Sequence, residues 1–176
     1  MSGASGPRLD ADARHPSLTF RRAEVGDHAR VVSVIGPWWE RPDADRLALL
    51  LPRLFFQHFA DTSTVVDDEH GELAGFLIGF RSASRPEVAY IHFVGVRPDQ
   101  RRTGLARTLY ERFFEAMRAS GCRRVEAITG PPNVRSQDFH RAMGFEATGD
   151  EIIDGVRAWR DYDGPGEHRV AFTRPL

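Results

Sequence analysis

The chain has 176 residues and 19.8 kDa, enough to bury a full hydrophobic core without covalent staples, so one domain is the expectation. Apolar residues make up 41% and charged residues 28%, and 25 acidic side chains nearly cancel 24 basic ones, so bulk charge points to neither nucleic acid nor an anionic membrane as a partner. Every basic residue is Arg, which excludes a Walker A lysine and a Schiff-base lysine, and the one cysteine, Cys122, excludes an intrachain disulfide and a multi-cysteine zinc site.

Residues 1 to about 17 are rich in Gly, Ala, Asp, Arg and Pro and nearly devoid of apolar side chains, and they read as a mobile tail ahead of a single domain over 18–176. That tail has no apolar core of a secretory signal, and no apolar run approaches the ~20 residues of a membrane span, so a cytoplasmic protein is expected. A first strand is expected over Thr19 to Ala23. A helix follows from Glu24 to Ile35, with Gly36-Pro37 ending it, and Trp38-Trp39-Glu40-Arg41-Pro42 falls in a loop. Asp43 can cap a second helix with the apolar stripe Leu47, Leu50, Leu51, Leu54 and Phe55, kinked or divided in two at Pro52.

Ser63 to Asp67 and Glu72 to Ser82 form a hairpin across the turn Asp68-Glu69-His70-Gly71. Val88 to Val96 is a continuous apolar run, the pattern of a strand buried on both faces. Gly104 to about Ala119 is helical, with Leu105, Leu109, Phe113, Ala116 and Met117 on one face and Gly121 as its C-cap. Arg124 to Thr129 is a strand. Gly130-Pro131-Pro132-Asn133 breaks the chain before a short helix from about Arg135, with Phe139, Ala142 and Met143 inward. Two strands near 147–154 and 168–174 complete the chain. A lone helix crossing between two strands implies one parallel βαβ unit in an otherwise antiparallel sheet, a mixed α+β fold.

Chemistry concentrates between Val94 and Ala106. A buried strand, Val94-Gly95-Val96, runs into a polar turn with Arg101-Arg102-Thr103 and then Gly104-Leu105-Ala106 at a helix start. The exposed amides of a helix N-terminus and its dipole bind anionic oxygens, small residues admit a phosphate to the backbone, and Arg side chains add charge-assisted hydrogen bonds. This pattern suits a diphosphate. The seven His show no helical ligand spacing, so no metal is expected.

Arg101-x-x-Gly104-x-Ala106 matches the Q/R-x-x-G-x-G/A signature of GNAT N-acetyltransferases. Asn133-x-x-Ser136-x-x-Phe139-His140-x-x-Met143-Gly144-Phe145 resembles the family's N-x-x-A/S-x-x-F-Y segment and the G-F that follows it. The resemblance implies the family's fold: a central, mostly antiparallel sheet of six to seven strands with one splayed parallel pair and about four flanking helices. It implies acetyl-CoA as co-substrate and no metal. The diphosphate would sit on the amides of Arg101, Arg102, Thr103, Gly104, Leu105 and Ala106, and the pantetheine arm along Val94, Gly95 and Val96. Asn133 and Ser136 would line the cofactor, and the Val94 amide would polarise the thioester carbonyl. The implied reaction is direct acetyl transfer in a ternary complex to a primary amine of a small molecule or peptide. The alternative is a non-catalytic acyl-CoA sensor or interaction module.

Two positions depart from the family pattern. Tyr90 stands where histone-type members carry a Glu base, and His140 where many members carry a Tyr that protonates the departing thiolate. His92 matches the His of arylalkylamine-type members and is preferred as the general base, on the same strand face as Tyr90. Glu126 and Glu24 are held in reserve. His140 is either the acid or a residue lining the cofactor. Trp38, Trp39 and Phe55 are candidates for an aromatic acceptor wall or for plain core. Cys122 reads as a buried structural thiol, and a homodimer is possible.

Overall fold

The computed structural model describes residues 9–39 and 44–176. The fold is α+β. Strands β1 (Thr19–Arg22), β2 (Thr64–Asp67), β3 (Leu73–Arg81), β4 (Val88–Val96), β5 (Arg124–Thr129), β6 (Glu146–Thr148), β7 (Glu151–Ile153), β8 (Val156–Ala158) and β9 (Val170–Pro175) accompany helices α1 (Asp27–Trp39), α2 (Ala44–Ala48), α3 (Leu54–His58), α4 (Leu105–Ala119) and α5 (Val134–Ala142). Seven strands are hydrogen-bonded in the order β1-β2-β3-β4-β5-β9-β6, and β7 and β8 form a separate hairpin. The β4–β5 pair is parallel and the other registered pairs are antiparallel, as expected from the lone crossover helix α4.

The chain divides into two compact units, Met1–Phe80 with Phe93–Ala116, and Arg81–His92 with Met117–Leu176. In the first unit, Val31, Ile35 and Trp38 of α1 bury against Phe56, Val65, Phe76 and Ile78. That i, i+4, i+7 stripe carries α1 through Gly36 and Pro37 to Trp39, whereas a stop was expected at Gly36-Pro37. Burying Trp38 outweighs the hydrogen bond that Pro37 removes, so both Trp lie on the last turn of a helix and not in a loop.

Residues 44–58 do divide into two short helices around Pro52. The expected stripe is only partly inward. Leu51 and Phe56 are buried, while Leu50 and Leu54 are exposed. Asp43, the expected cap, lies outside the described residues. On α4 the buried face is Leu105, Leu109, Phe113 and Met117, with Tyr110 and Phe114 added, and Ala116 is exposed.

Of the expected mobile tail, residues 1–8 lie outside the described residues, and the part from Leu9 is held. The buried His15 ring meets Thr108 Oγ1 at 3.0 Å, Arg14 pairs with Glu111 at 2.6 Å, and Arg112 lies over the Phe20 ring at 4.5 Å. Polar side chains that look solvated in the sequence find their partners on α4.

In the second unit β5 and β9 pair over six residues from Arg124↔Pro175 to Thr129↔Val170, with Val125, Ala127 and Phe172 buried. Gly121, at φ 88°, ends α4 in the left-handed conformation that glycine tolerates best. Cys122 behind it is buried, and its thiol donates to the Pro86 carbonyl at 3.6 Å. Met143, which caps α5, is inward as expected, Gln137 and His140 are buried with it, Phe139 is half-buried and Ala142 is exposed. The residues expected as one strand near 147–154 form β6 and, after a turn, β7.

Candidate active site

The parallel register joins Val88–Ile91 to Arg124–Ala127 and ends there, while β4 continues to Val96 and β5 to Thr129. In the first unit the Arg97 amide donates to Ala74 O of β3 at 3.0 Å. Along a regular strand the amides of Val94 and Val96 then face away from β3. Gly95, between them, is buried under Phe76 and Trp39. A Cβ built there would lie 2.4 Å from Phe76 Cε1 and 2.8 Å from Trp39 Cη2.

Arg97 fixes the turn that follows. Its guanidinium reaches Asp68 Oδ2 at 2.8 Å and Asp99 Oδ1 at 2.7 Å. Beside it, the carboxyls of Asp68 and Asp99 are held below the usual carboxylate range. Pro98–Gln100 form a single 3-10 turn, and Thr103 Oγ1 donates to the Gln100 carbonyl at 2.7 Å. Arg102 (φ 66°) and Gly104 (φ 91°) are both left-handed. Left-handed residues in a tight turn gather successive amides into a concave nest for an anion, and a non-glycine residue held there is strain of the kind found at functional sites.

Thr108 N donates to Gly104 O at 3.0 Å, which leaves the amides of Leu105, Ala106 and Arg107 at the open first turn of α4. These are the orphan donors of a helix start. The space a Cβ would enter at Gly104 is open. The turn therefore fits a diphosphate, such as that of acetyl-CoA, on a helix N-terminus. Arg101 departs from the expected cradle. Its amide donates to Pro98 O at 3.3 Å, and its guanidinium donates to the Trp38 carbonyl at the end of α1.

Trp38 and Trp39 belong to an aromatic group with Phe76 and Phe93, with ring centroids 5.5–6.5 Å apart. Trp38 is core. Phe55 stands in a different group, 5.7 Å from Phe59 and 6.2 Å from Phe80.

In the second unit Tyr90 and His92 have ring centroids 6.4 Å apart, as neighbours on one strand face do. Burial, reinforced by the nearby Tyr162, Asp163 and Glu126, pushes the Tyr90 hydroxyl far above its ordinary value, so it stays protonated. Glu126 is engaged by Arg85 at 2.8 and 3.2 Å and by Arg124 at 3.1 Å.

Asn133 caps α5, its Oδ1 accepting from Ser136 N at 3.2 Å. The buried Gln137 donates to Pro131 O at 2.7 Å and holds the loop before the helix. His140 is buried, stacked on Phe172 at 4.6 Å with Phe145 edge-on at 5.1 Å. Its Nδ1 lies 2.7 Å from the Ser136 carbonyl, which can only accept, so the proton sits on Nδ1. Burial lowers its pKa despite that bond, so the ring is neutral.

Tyr90 and Glu126, together with residues that sequence reasoning missed, line a cleft of about 380 Å³ in this unit. Tyr90, Trp159, Tyr162 and Phe172 supply ring walls, and Glu126 and Thr148 supply polar atoms. The signal was Trp159 and Tyr162 in the turn-rich stretch Trp159-Arg160-Asp161-Tyr162-Asp163-Gly164-Pro165-Gly166, large rings where a plain loop carries small polar residues. Among the described residues no group of three or more His, Cys, Asp or Glu could hold a metal ion, and no helix is long and apolar enough to cross a membrane.

Over 84 residues the chain is 33% identical to the L-2,4-diaminobutyric acid acetyltransferase of Virgibacillus pantothenticus, a match covering 48% of this chain and 52% of the relative. It is 31% identical over 108 residues to the aminoglycoside N(6')-acetyltransferase type 1 of Salmonella typhimurium, covering 52% of this chain and 73% of the relative. The chain spans about half the length of the diaminobutyric acid relatives it matches at this level. Diaminobutyrate acetyltransferase EctA from Paenibacillus lautus, solved with L-2,4-diaminobutyric acid and coenzyme A, superposes with a TM-score of 0.60 at 23% identity, over 89% of this chain and 93% of that one, a likeness of fold. The sequence profile of the Acetyltransferase (GNAT) family matches residues 31–145. With that profile laid across more than half its length, the chain belongs to this family.

Proposed function

We propose that this chain is an acetyl-CoA-dependent N-acetyltransferase acting on a primary amine of a small molecule, with residues 18–176 as one catalytic domain and the cytoplasm as its compartment. The observation that carries the reading is the start of α4 over Leu105 to Arg107, beside a left-handed Gly104 with open space where a Cβ would stand. Relatives named for diaminobutyric acid and for aminoglycosides support an amine acceptor.

When bound, acetyl-CoA supplies an activated thioester. Gly104, Leu105 and Ala106 hold its diphosphate through main-chain N–H groups, and the exposed Arg102 adds charge. The amides of Val94 and Val96 receive the arm as an added strand does, and the Val94 amide polarises the acetyl carbonyl. His92 takes the proton from the acceptor ammonium, because only the neutral amine is a nucleophile. His140, neutral with its proton committed to Ser136 O, supports the packing under α5 and does not act as an acid.

The test is titration calorimetry with acetyl-CoA on the wild-type chain and on Gly104→Glu, together with release of CoA thiol over a panel of amines. Gly104→Glu puts a carboxylate where the phosphates sit and should abolish binding, with circular dichroism confirming the fold. Unchanged affinity overturns the cradle. Tight binding with no thiol release from any amine overturns catalysis in favour of a non-catalytic acetyl-CoA-binding module, the reading that Tyr90 and His140 in place of Glu and Tyr would favour.

A further inference from the structure

The cleft of the second unit has the wrong character for a polar polyamine. Its walls are the rings of Tyr90, Trp159, Tyr162 and Phe172. The carboxylate in its lining is already paired. Glu126 is gripped by Arg85 and Arg124, and Asp163 pairs with Arg169 at 2.7 Å. A dication entering there meets a lining carboxylate already held by two guanidinium groups, whereas a flat apolar group meets aromatic side chains from several strands and a loop.

The loop that brings two of these rings is prebuilt. Trp159 and Arg169 exchange both main-chain hydrogen bonds, at 2.8 and 3.1 Å. His168 Nδ1 accepts from Asp161 N at 3.0 Å, and Asp161 Oδ1 accepts from Gly166 N at 2.7 Å. Arg169 further ties Asp163 and Glu167. A loop so restrained nevertheless leaves Trp159 39% and Tyr162 50% exposed. Large, partly exposed rings on a restrained loop suit a ligand pocket, because little ordering entropy of the loop is lost when the ligand arrives.

We infer that this cleft receives a flat aromatic side group of the acceptor amine, and that Trp159 and Tyr162 determine specificity for it. The inference rests on the transferase reading above and deepens it. His92, the proposed base, is the strand neighbour of Tyr90, so the ring pocket and the proton acceptor belong to the same stretch of β4.

The test uses the full chain and three probes: phenethylamine, L-2,4-diaminobutyric acid and tetramethylammonium. Calorimetry should give phenethylamine the highest affinity of the three. Trp159→Ala and, separately, Tyr162→Ala should weaken it by about tenfold or more, and Trp159→Phe should restore most of it. In the thiol-release assay Trp159→Ala should raise KM for phenethylamine with kcat little changed. The assignment is overturned if diaminobutyric acid binds more tightly than phenethylamine, if tetramethylammonium matches it (a cation site), or if both alanine variants keep wild-type affinity. Phenethylamine binding that depends on Trp159 without acetyl transfer to any amine upholds the aromatic pocket and overturns the transferase reading. Transfer to polar diamines that ignores Trp159 does the reverse.

Discussion

The His140 ring donates from Nδ1 to the Ser136 carbonyl at 2.7 Å and lies flat on Phe172, so its other nitrogen carries a lone pair and not a proton. To donate a proton from that nitrogen the ring would first have to become a cation, and burial, the largest influence on it, lowers its pKa. At neutral pH it therefore has no ready proton to give. His92 is the imidazole proposed to accept one. The two are separated by the pH dependence of kcat/KM. As pH falls, a base that must be neutral becomes protonated and the rate drops, giving an acidic limb. His92→Ala should lower the rate and remove that limb, while His140→Phe should retain it with only a modest change in rate. Loss of the limb in His140→Phe and its persistence in His92→Ala would reverse the assignment.

The second half of β4 is shaped by what lies over it. Gly95 sits against Phe76 of β3 and Trp39 of α1, so the strand carries a position where a methyl group has nowhere to go. Gly95→Ala should cost about 1–3 kcal/mol of stability through overpacking, read as a lower urea midpoint at unchanged slope. An unshifted midpoint would mean that the rings move aside freely. At this scale the sequence was informative wherever one period ruled a segment. β4 falls at Val88–Val96 and β5 at Arg124–Thr129, as their apolar patterns require, and α4 begins one residue after its Gly104 signal. It was less informative where tertiary burial overrode a local signal. Pro37 reads as a stop until Trp38 finds a core, and the α5 face is set by Gln137 and His140, polar residues that the pattern places outward. The turn over 101–106 was legible because glycine and helix-start chemistry are local. The ring-lined cleft was not, since Tyr90, Trp159 and Phe172 are far apart in sequence and meet only through strand pairing.

Taken whole, the chain interleaves two units in sequence, with the amide cradle in one and the ring-lined cleft in the other. The first unit also holds a buried charge network. Asp27 Oδ1 accepts from Arg21 Nη2 at 2.6 Å and Arg30 Nη1 at 3.0 Å, and Oδ2 from Arg21 Nη1 at 2.7 Å and Glu24 N at 2.8 Å. Arg21 and Arg30 also bind Asp67, at 2.7 and 2.8 Å, which ties β1, α1 and β2 together. Burial pushes the Asp27 carboxyl up, but Arg21, the Glu24 amide and Arg30 together hold it below its ordinary value of 3.8. A carboxyl whose folded pKa is depressed stabilises the fold above the ordinary carboxylate range, and that contribution is lost as pH falls through the folded value. Asp27→Asn keeps the shape but leaves the Arg21 guanidinium buried with one of its two carboxylates gone. Breaking such a pair costs about 3–5 kcal/mol, a large part of the ~5–15 kcal/mol that holds a domain folded. Urea unfolding at pH 7 should show that loss, and the gap between wild type and variant should narrow at acid pH as the wild-type carboxyl is protonated. An equal midpoint at pH 7, or a gap that does not change with pH, would mean that the ion pair adds nothing beyond the hydrogen bonds asparagine can still make.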